Sequence, residues 1–131
     1  MTLVVDASVV VAAVLDSGPV GRWAEGILLE GPLAAPDHLR VEASNVLRRA
    51  ALAGDVSADV AALAHADLAR LPVELFPFAP FAARVWELHE NVASYDACYV
   101  ALAESLNADL ATLDRRLTRA PGLRCSFRLP G

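Results

Sequence analysis

Short apolar runs alternate along this chain with longer stretches in which apolar positions recur every three or four residues. Leu3-Val4-Val5 is apolar on both faces, as a strand in the middle of a parallel sheet must be. Asp6-Ala7-Ser8 then leads into a helix over Val9–Leu15, capped by Asp6 or Ser8. Gly18-Pro19 breaks it, and a second helix covers Arg22–Glu30 up to Gly31. Leu33–Ala35 forms a short strand stopped by Pro36. Asp37 is a good cap for a helix to about Ala53, and Ser57 for another to about Arg70, ahead of Pro72. Val73–Phe76 reads as a strand, followed by helices from about Pro80 to Glu90 and from Ser94 to about Leu106. Asp109–Leu113 and Cys125–Phe127 complete the strands. Strands separated by helices require crossover connections, so the pattern predicts an α/β domain with a mainly parallel central sheet of four to five strands.

Composition narrows the class. With 131 residues, 56% hydrophobic and 21% charged, the chain suits a single domain over residues 1–131 with a real core, and disorder is excluded. No apolar run approaches the ~18 residues needed to span a bilayer, and no basic segment precedes an apolar one at the N-terminus. These features predict a cytoplasmic protein with no membrane association. Cys98 and Cys125 stand apart in no metal-type spacing and read as reduced thiols. Every basic residue is arginine. The missing lysine excludes a P-loop and a phosphoacceptor receiver domain, and no Gly-x-Gly-x-x-Gly is present for a dinucleotide.

The topology sorts the sixteen acids. In a parallel sheet the strand C-termini and the N-termini of the crossover helices share one edge, where ligands bind. Asp6 ends the first strand. Glu42 lies in the second turn of the helix after the second strand, Asp96 in the first turn of the Ser94 helix, and Asp114 at the end of the Asp109–Leu113 strand. All four fall on that edge. Each has an ordinary structural use: Asp6 and Asp114 as caps, Asp96 answering a helix dipole, Glu42 pairing with Arg48 or Arg49. Asp37 shares the edge and is read as a cap. Four carboxylates brought together repel one another by about 1 kcal/mol or more per close pair, which favours a cation among them. An all-carboxylate donor set suits Mg²⁺ or Mn²⁺ rather than zinc. His38 is on the same edge, where it is open to a minor substrate contact.

At these residues the chain resembles the PIN-domain family, and within it the VapC-type toxin ribonucleases of bacterial type II toxin–antitoxin systems. The matching segments are Val4-Val5-Asp6-Ala7-Ser8, Glu42-Ala43-Ser44-Asn45, Ser94-Tyr95-Asp96-Ala97-Cys98-Tyr99-Val100-Ala101-Leu102-Ala103 and Ala111-Thr112-Leu113-Asp114-Arg115-Arg116-Leu117. The resemblance implies a three-layer α/β/α PIN-like domain and a catalytic metal site of Asp6, Glu42, Asp96 and Asp114. It places Ser8, Asn45 and Thr112 as polar groups holding those carboxylates. Where some relatives carry a further acid two residues after the fourth, this chain has Arg116, which weakens a second metal site.

A Mg²⁺- or Mn²⁺-dependent endoribonuclease follows as the expected activity, with a cognate antitoxin as inhibitor and a homodimer as the assembly. The net charge of −5 opposes RNA binding, yet setting the four acids aside leaves twelve acids against eleven arginines. Metal binding therefore governs substrate affinity. Arg115 and Arg116, with Arg119 and Arg40 nearby, are candidates to clamp phosphate. Asp6 and Asp96 are the main expected ligands, and Glu42 or Asp114 the acceptor of the water's proton. The rival reading is a catalytically inactive PIN-like module that binds RNA or protein. Phe76, Phe78 and Phe81 lie in one short segment and serve either the core or a partner surface.

Overall fold

The computed structural model describes residues 1–131. Strand β1 (Leu3–Val5) lies at the centre of a five-stranded sheet, flanked by β2 (Leu33–Pro36) and β4 (Asp109–Ala111), with β3 (Glu74–Phe76) and β5 (Phe127–Arg128) at the edges. The order is β3-β2-β1-β4-β5 and all four pairings are parallel, Leu3 standing opposite Leu33 on one side and Asp109 on the other. Because β1 is hydrogen-bonded on both sides and covered on both faces, all three of its residues are buried.

Helices α1 (Ala7–Leu15), α2 (Pro19–Leu29), α3 (Leu39–Leu52) and α4 (Ala58–Arg70) pack on one another as one layer. The other layer is α6 (Ser94–Leu106), laid across β1, β2 and β4, with α5 (Ala82–Glu87) against it. The result is a three-layer α/β/α domain. Val4, Val5, Val9, Val10, Leu39, Val100, Leu102 and Leu110 are sealed between the layers, each burial contributing about 1.5–3 kcal/mol before conformational entropy is counted.

Several boundaries differ from the sequence expectation for identifiable reasons. Helix α2 starts at Pro19 rather than Arg22, since proline suits the first helical turn, where its missing N–H costs nothing. Asp37 caps nothing: its N–H continues the strand ladder to the Phe76 carbonyl, so α3 starts only at Leu39, behind His38, and Glu42 falls in its first turn. The helix expected from Pro80 to Glu90 is a 3₁₀ turn (Ala79–Phe81) followed by α5, which stops at Glu87 as the Trp86 and His89 rings stack. Strand β4 ends at Ala111, and the last strand is Phe127–Arg128.

At the α1–α2 junction, a Cβ on Gly21 would stand 1.7 Å from the Asp16 carbonyl oxygen. Glycine is needed there to let the two helices meet. Helix α6 ends on Asn107 in the left-handed conformation, φ 51°, which asparagine tolerates. Cys98 is buried, Cys125 is half-buried and both are free thiols. No helix is long and apolar enough to cross a membrane.

Candidate active site

The order of strand addition reverses between β1 and β4: the chain goes from β1 to β2 and β3 on one side, and β4 and β5 are then added on the other. This is the switch point at which an α/β sheet opens a crevice beyond its strand C-termini. A cavity of about 490 Å³ lies there, and Asp6, Glu42, Asp96 and Asp114 all line it, together with Ser8.

Asp6 is 7% exposed and the most heavily held of the four. Its Oδ1 accepts from Ser8 Oγ at 2.5 Å and from the Val9 N–H at 3.2 Å, which caps α1. Its Oδ2 accepts from Thr112 Oγ1 at 2.5 Å, across 106 residues of sequence. Burial pushes its carboxyl above the usual range and Glu42 adds to this, while the Ser8, Thr112 and Val9 donors pull the other way. Thr112, fully buried, also accepts from the Asp114 N–H at 3.0 Å, and Ser8 Oγ accepts from the Leu113 N–H at 3.1 Å. One polar lattice thereby pins the end of β1 to the loop after β4.

Asp114 is exposed and caps the following turn, its Oδ1 accepting from the N–H groups of Arg116 (2.9 Å) and Leu117 (3.1 Å). Glu42 Oε1 accepts from the Tyr99 hydroxyl at 2.8 Å. Tyr99 is 1% exposed, and burial together with Glu42 drives its pKa far up, so it stays a donor. Neither Arg48 nor Arg49 pairs with Glu42, because the ion pairs of the molecule use only Arg70, Arg84 and Arg128. Asp96 receives no hydrogen bond. Its pKa is pushed up to about 6, first by burial and then by the charges of Glu42, Asp6 and Asp114.

Both oxygens of Asp96, the second oxygen of Glu42 and the second of Asp114 have no protein donor, and no basic side chain pairs with any of the four acids. Hard oxygen donors repelling one another across a shared cavity fit a divalent cation such as Mg²⁺ or Mn²⁺. No three of these side chains are gathered into a ready-made ligand set.

The other expected residues fall elsewhere. Asn45 is exposed and forms no side-chain hydrogen bond, because the stripe of α3 facing the cavity steps through Glu42, Val46 and Arg49 and turns Asn45 outward. Arg115 donates to the Pro130 carbonyl at 2.7 Å, and neither it nor Arg116 lines the cavity. Arg40 ties α3 to the end of α4 through the Leu68 and Leu71 carbonyls. His38 stands edge-on to Tyr95 and Tyr99, with its Nε2 buried and unpartnered, beside a second cavity of about 170 Å³ rather than the acidic one. Phe76 and Phe81 pack on the core while Phe78 is 57% exposed. Arg49, two turns after Glu42 and read from sequence only as an ion-pair partner, lines the cavity, as does Asp16 at the end of α1. Tyr99, one helical turn after Asp96, is buried behind the lining and reaches Glu42 from there; its spacing from Asp96 is the available signal.

Comparison with known proteins bears on the family and the fold. The PIN domain family model matches residues 3–123. Ribonuclease VapC1 of Mycobacterium tuberculosis is 40% identical over 127 residues, covering 96% of each chain. Among solved structures, PAE2754 of Pyrobaculum aerophilum superposes with a TM-score of 0.72 at 24% identity, over 97% of this chain and 83% of that one. VapBC2 from Rickettsia felis, solved bound to a DNA fragment from its promoter, gives 0.66 at 16% identity over 98% and 99%. At such identities the two structures speak for the fold alone.

Proposed function

This chain belongs to the PIN-domain family, in its VapC branch, and from that premise we propose that it is the ribonuclease toxin of a toxin–antitoxin pair. It hydrolyses RNA phosphodiester bonds with Mg²⁺ or Mn²⁺ in the cytoplasm, is silenced by a cognate antitoxin, and forms a homodimer. The observation that carries the reading is that Asp6, Glu42, Asp96 and Asp114 line one cavity with no basic side chain paired to any of them, the pKa of Asp96 being pushed up to about 6 by burial and then by the other three.

Asp6, Asp96, Glu42 and Asp114 would hold the ion. When bound there, a divalent cation would supply Lewis-acid stabilisation of charge on the scissile phosphate and would acidify the attacking water. Ser8 and Thr112 fix both oxygens of Asp6, so the carboxylate is oriented before any ligand arrives. Tyr99 orients Glu42, and the Arg116 and Leu117 amides orient Asp114. Glu42 and Asp114 keep one unengaged oxygen each, which suits one of them to take the proton of the water. The acidic crevice also suits a basic antitoxin segment. Exposed Phe78, Trp86 and Tyr95 give apolar surface for a second copy to cover, which light scattering at the mass of a dimer would bear out.

The test is incubation of the purified protein with total cellular RNA in Mg²⁺ or Mn²⁺, with and without chelator, followed by mapping of the cut ends. Asp6→Asn should abolish cleavage and the Mn²⁺-induced rise in Tm while leaving the circular dichroism spectrum unchanged; Asp96→Asn serves as the second variant. Undiminished cleavage by both variants overturns the assignment. Binding of RNA without cleavage by the parent protein would instead support the inactive module.

A further inference from the structure

Resting on the ribonuclease reading, we propose that Arg49 is a phosphate-binding residue of the RNA site, holding a backbone phosphate that flanks the bond to be cut. All eleven basic residues are arginines. Arg70, Arg84 and Arg128 are committed to ion pairs. Arg22, Arg40 and Arg115 are committed to backbone carbonyls. Among the arginines whose side chains remain uncommitted, Arg49 alone lines the acidic cavity.

Its position follows from helix geometry. Glu42, Val46 and Arg49 step by four and then three along α3, which places them on one stripe facing the cavity. Seven residues of helix correspond to roughly 10 Å of rise, so Arg49 stands well along the cavity from Glu42. That separation keeps it from Glu42, and the guanidinium pairs with no acid. Its side chain is exposed and its bidentate fork matches a phosphate.

The charge distribution gives the residue its use. A chain of net charge −5 with four acids at the cut site repels RNA before a cation binds. Asp16 also lines this cavity, but its Oδ1 is engaged by the Gly18 N–H, and Arg49 is the cavity's one basic side chain, able to attract the strand away from the four site acids. Arg115 and Arg116, the arginines nearest in sequence to the fourth acid, do not line the cavity. The alternative use of Arg49 is to offset the charge of the acids, and this predicts a different experimental outcome.

The experiment measures binding of a short fluorescent single-stranded RNA of mixed sequence to the full protein across a salt series, with Ca²⁺ replacing Mg²⁺ to slow cleavage. Arg49→Ala should weaken binding about fivefold and reduce the log–log salt slope by about 0.7, the loss of one single-strand phosphate contact. In cleavage assays KM should rise about fivefold with kcat within about twofold. Arg49→Lys should restore the slope, and Arg48→Ala, one residue away and outside the cavity lining, should leave it unchanged. The Mn²⁺-induced rise in Tm should be the same in all variants. An unchanged slope in Arg49→Ala, or tighter Mn²⁺ binding with RNA affinity intact, overturns the proposal and assigns Arg49 to charge balance. A parent protein that binds no RNA at any salt overturns the ribonuclease reading itself.

Discussion

Removing the charge of Asp96 should stabilise the metal-free protein and destroy its response to metal. The folded carboxyl titrates near 6 against an ordinary value of 3.8, raised first by burial and then by Glu42, Asp6 and Asp114. A shift of about two units corresponds to about 3 kcal/mol of strain on the ionised form. Asp96 is only half-buried, so solvent screening reduces that to about 1–2 kcal/mol. Loss of a favourable charge in the first turn of α6 takes back about 0.3–1 kcal/mol. Asp96→Asn should therefore gain about 1 kcal/mol, or roughly 3–5 °C in Tm, in chelator near neutral pH. The sign follows from the raised pKa. Below 3.8 both folded and unfolded forms are protonated and the penalty is absent; it grows as pH rises from 3.8 to about 6 and is complete above. Thermal melts of parent and variant in chelator should thus differ at about pH 7.5 and converge at about pH 4. With saturating Mn²⁺ the order should reverse, because only the parent gains binding energy, about 2.7 kcal/mol at a hundredfold excess over Kd. A variant less stable than its parent in chelator near neutral pH would refute the electrostatic account, as would an advantage of equal size at both pH values.

Two further outcomes follow from the hydrogen-bond lattice. Thr112→Val removes a fully buried hydroxyl that donates to Asp6 and accepts from the Asp114 N–H, and should cost about 1–3 kcal/mol in urea melts while also lowering cleavage. On the opposite edge of the sheet, Arg84 holds Glu104 at 2.7 and 3.0 Å and the Gly122 carbonyl at 2.7 Å, which fastens α5, α6 and the C-terminal loop together. Arg84→Ala should cost about 3 kcal/mol, leaving Glu104 half-satisfied. Burial alone would raise Glu104, but Arg84 and the Arg124 N–H hold it below the usual carboxylate range. Its stabilising share is therefore present above about pH 4.5 and lost as pH falls through the lowered value, so parent and variant melts should draw together in acid.

The sheet was legible because its centre is written in uninterrupted apolar runs: Leu3-Val4-Val5 has no polar face and can only be a core strand. Once the crossovers were placed, the edge on which Asp6, Glu42, Asp96 and Asp114 fall followed from chain direction alone. What escaped depends on rotation about an axis and on competition for one donor. Asn45 and Arg49 both sit within two turns of Glu42, and only the packing of α3 decides which of them faces the cavity. Asp37 has a good capping side chain, yet its backbone still belongs to the β2–β3 ladder, and α3 starts two residues later behind His38. Arg115 sits next to an acid in sequence and is drawn off by a carbonyl fifteen residues away.

The bond between Thr112 and Asp6 joins nearly the two extremes of the chain, and β4 is the inner strand made last. A ribosome that has translated everything up to Leu106 has produced Asp6, Ser8, Glu42 and Asp96, but not β4, Asp114 or the Thr112 hydroxyl that holds the second oxygen of Asp6. Until that later segment emerges, the central strand lacks one of its two neighbours and the acidic crevice lacks one of its walls.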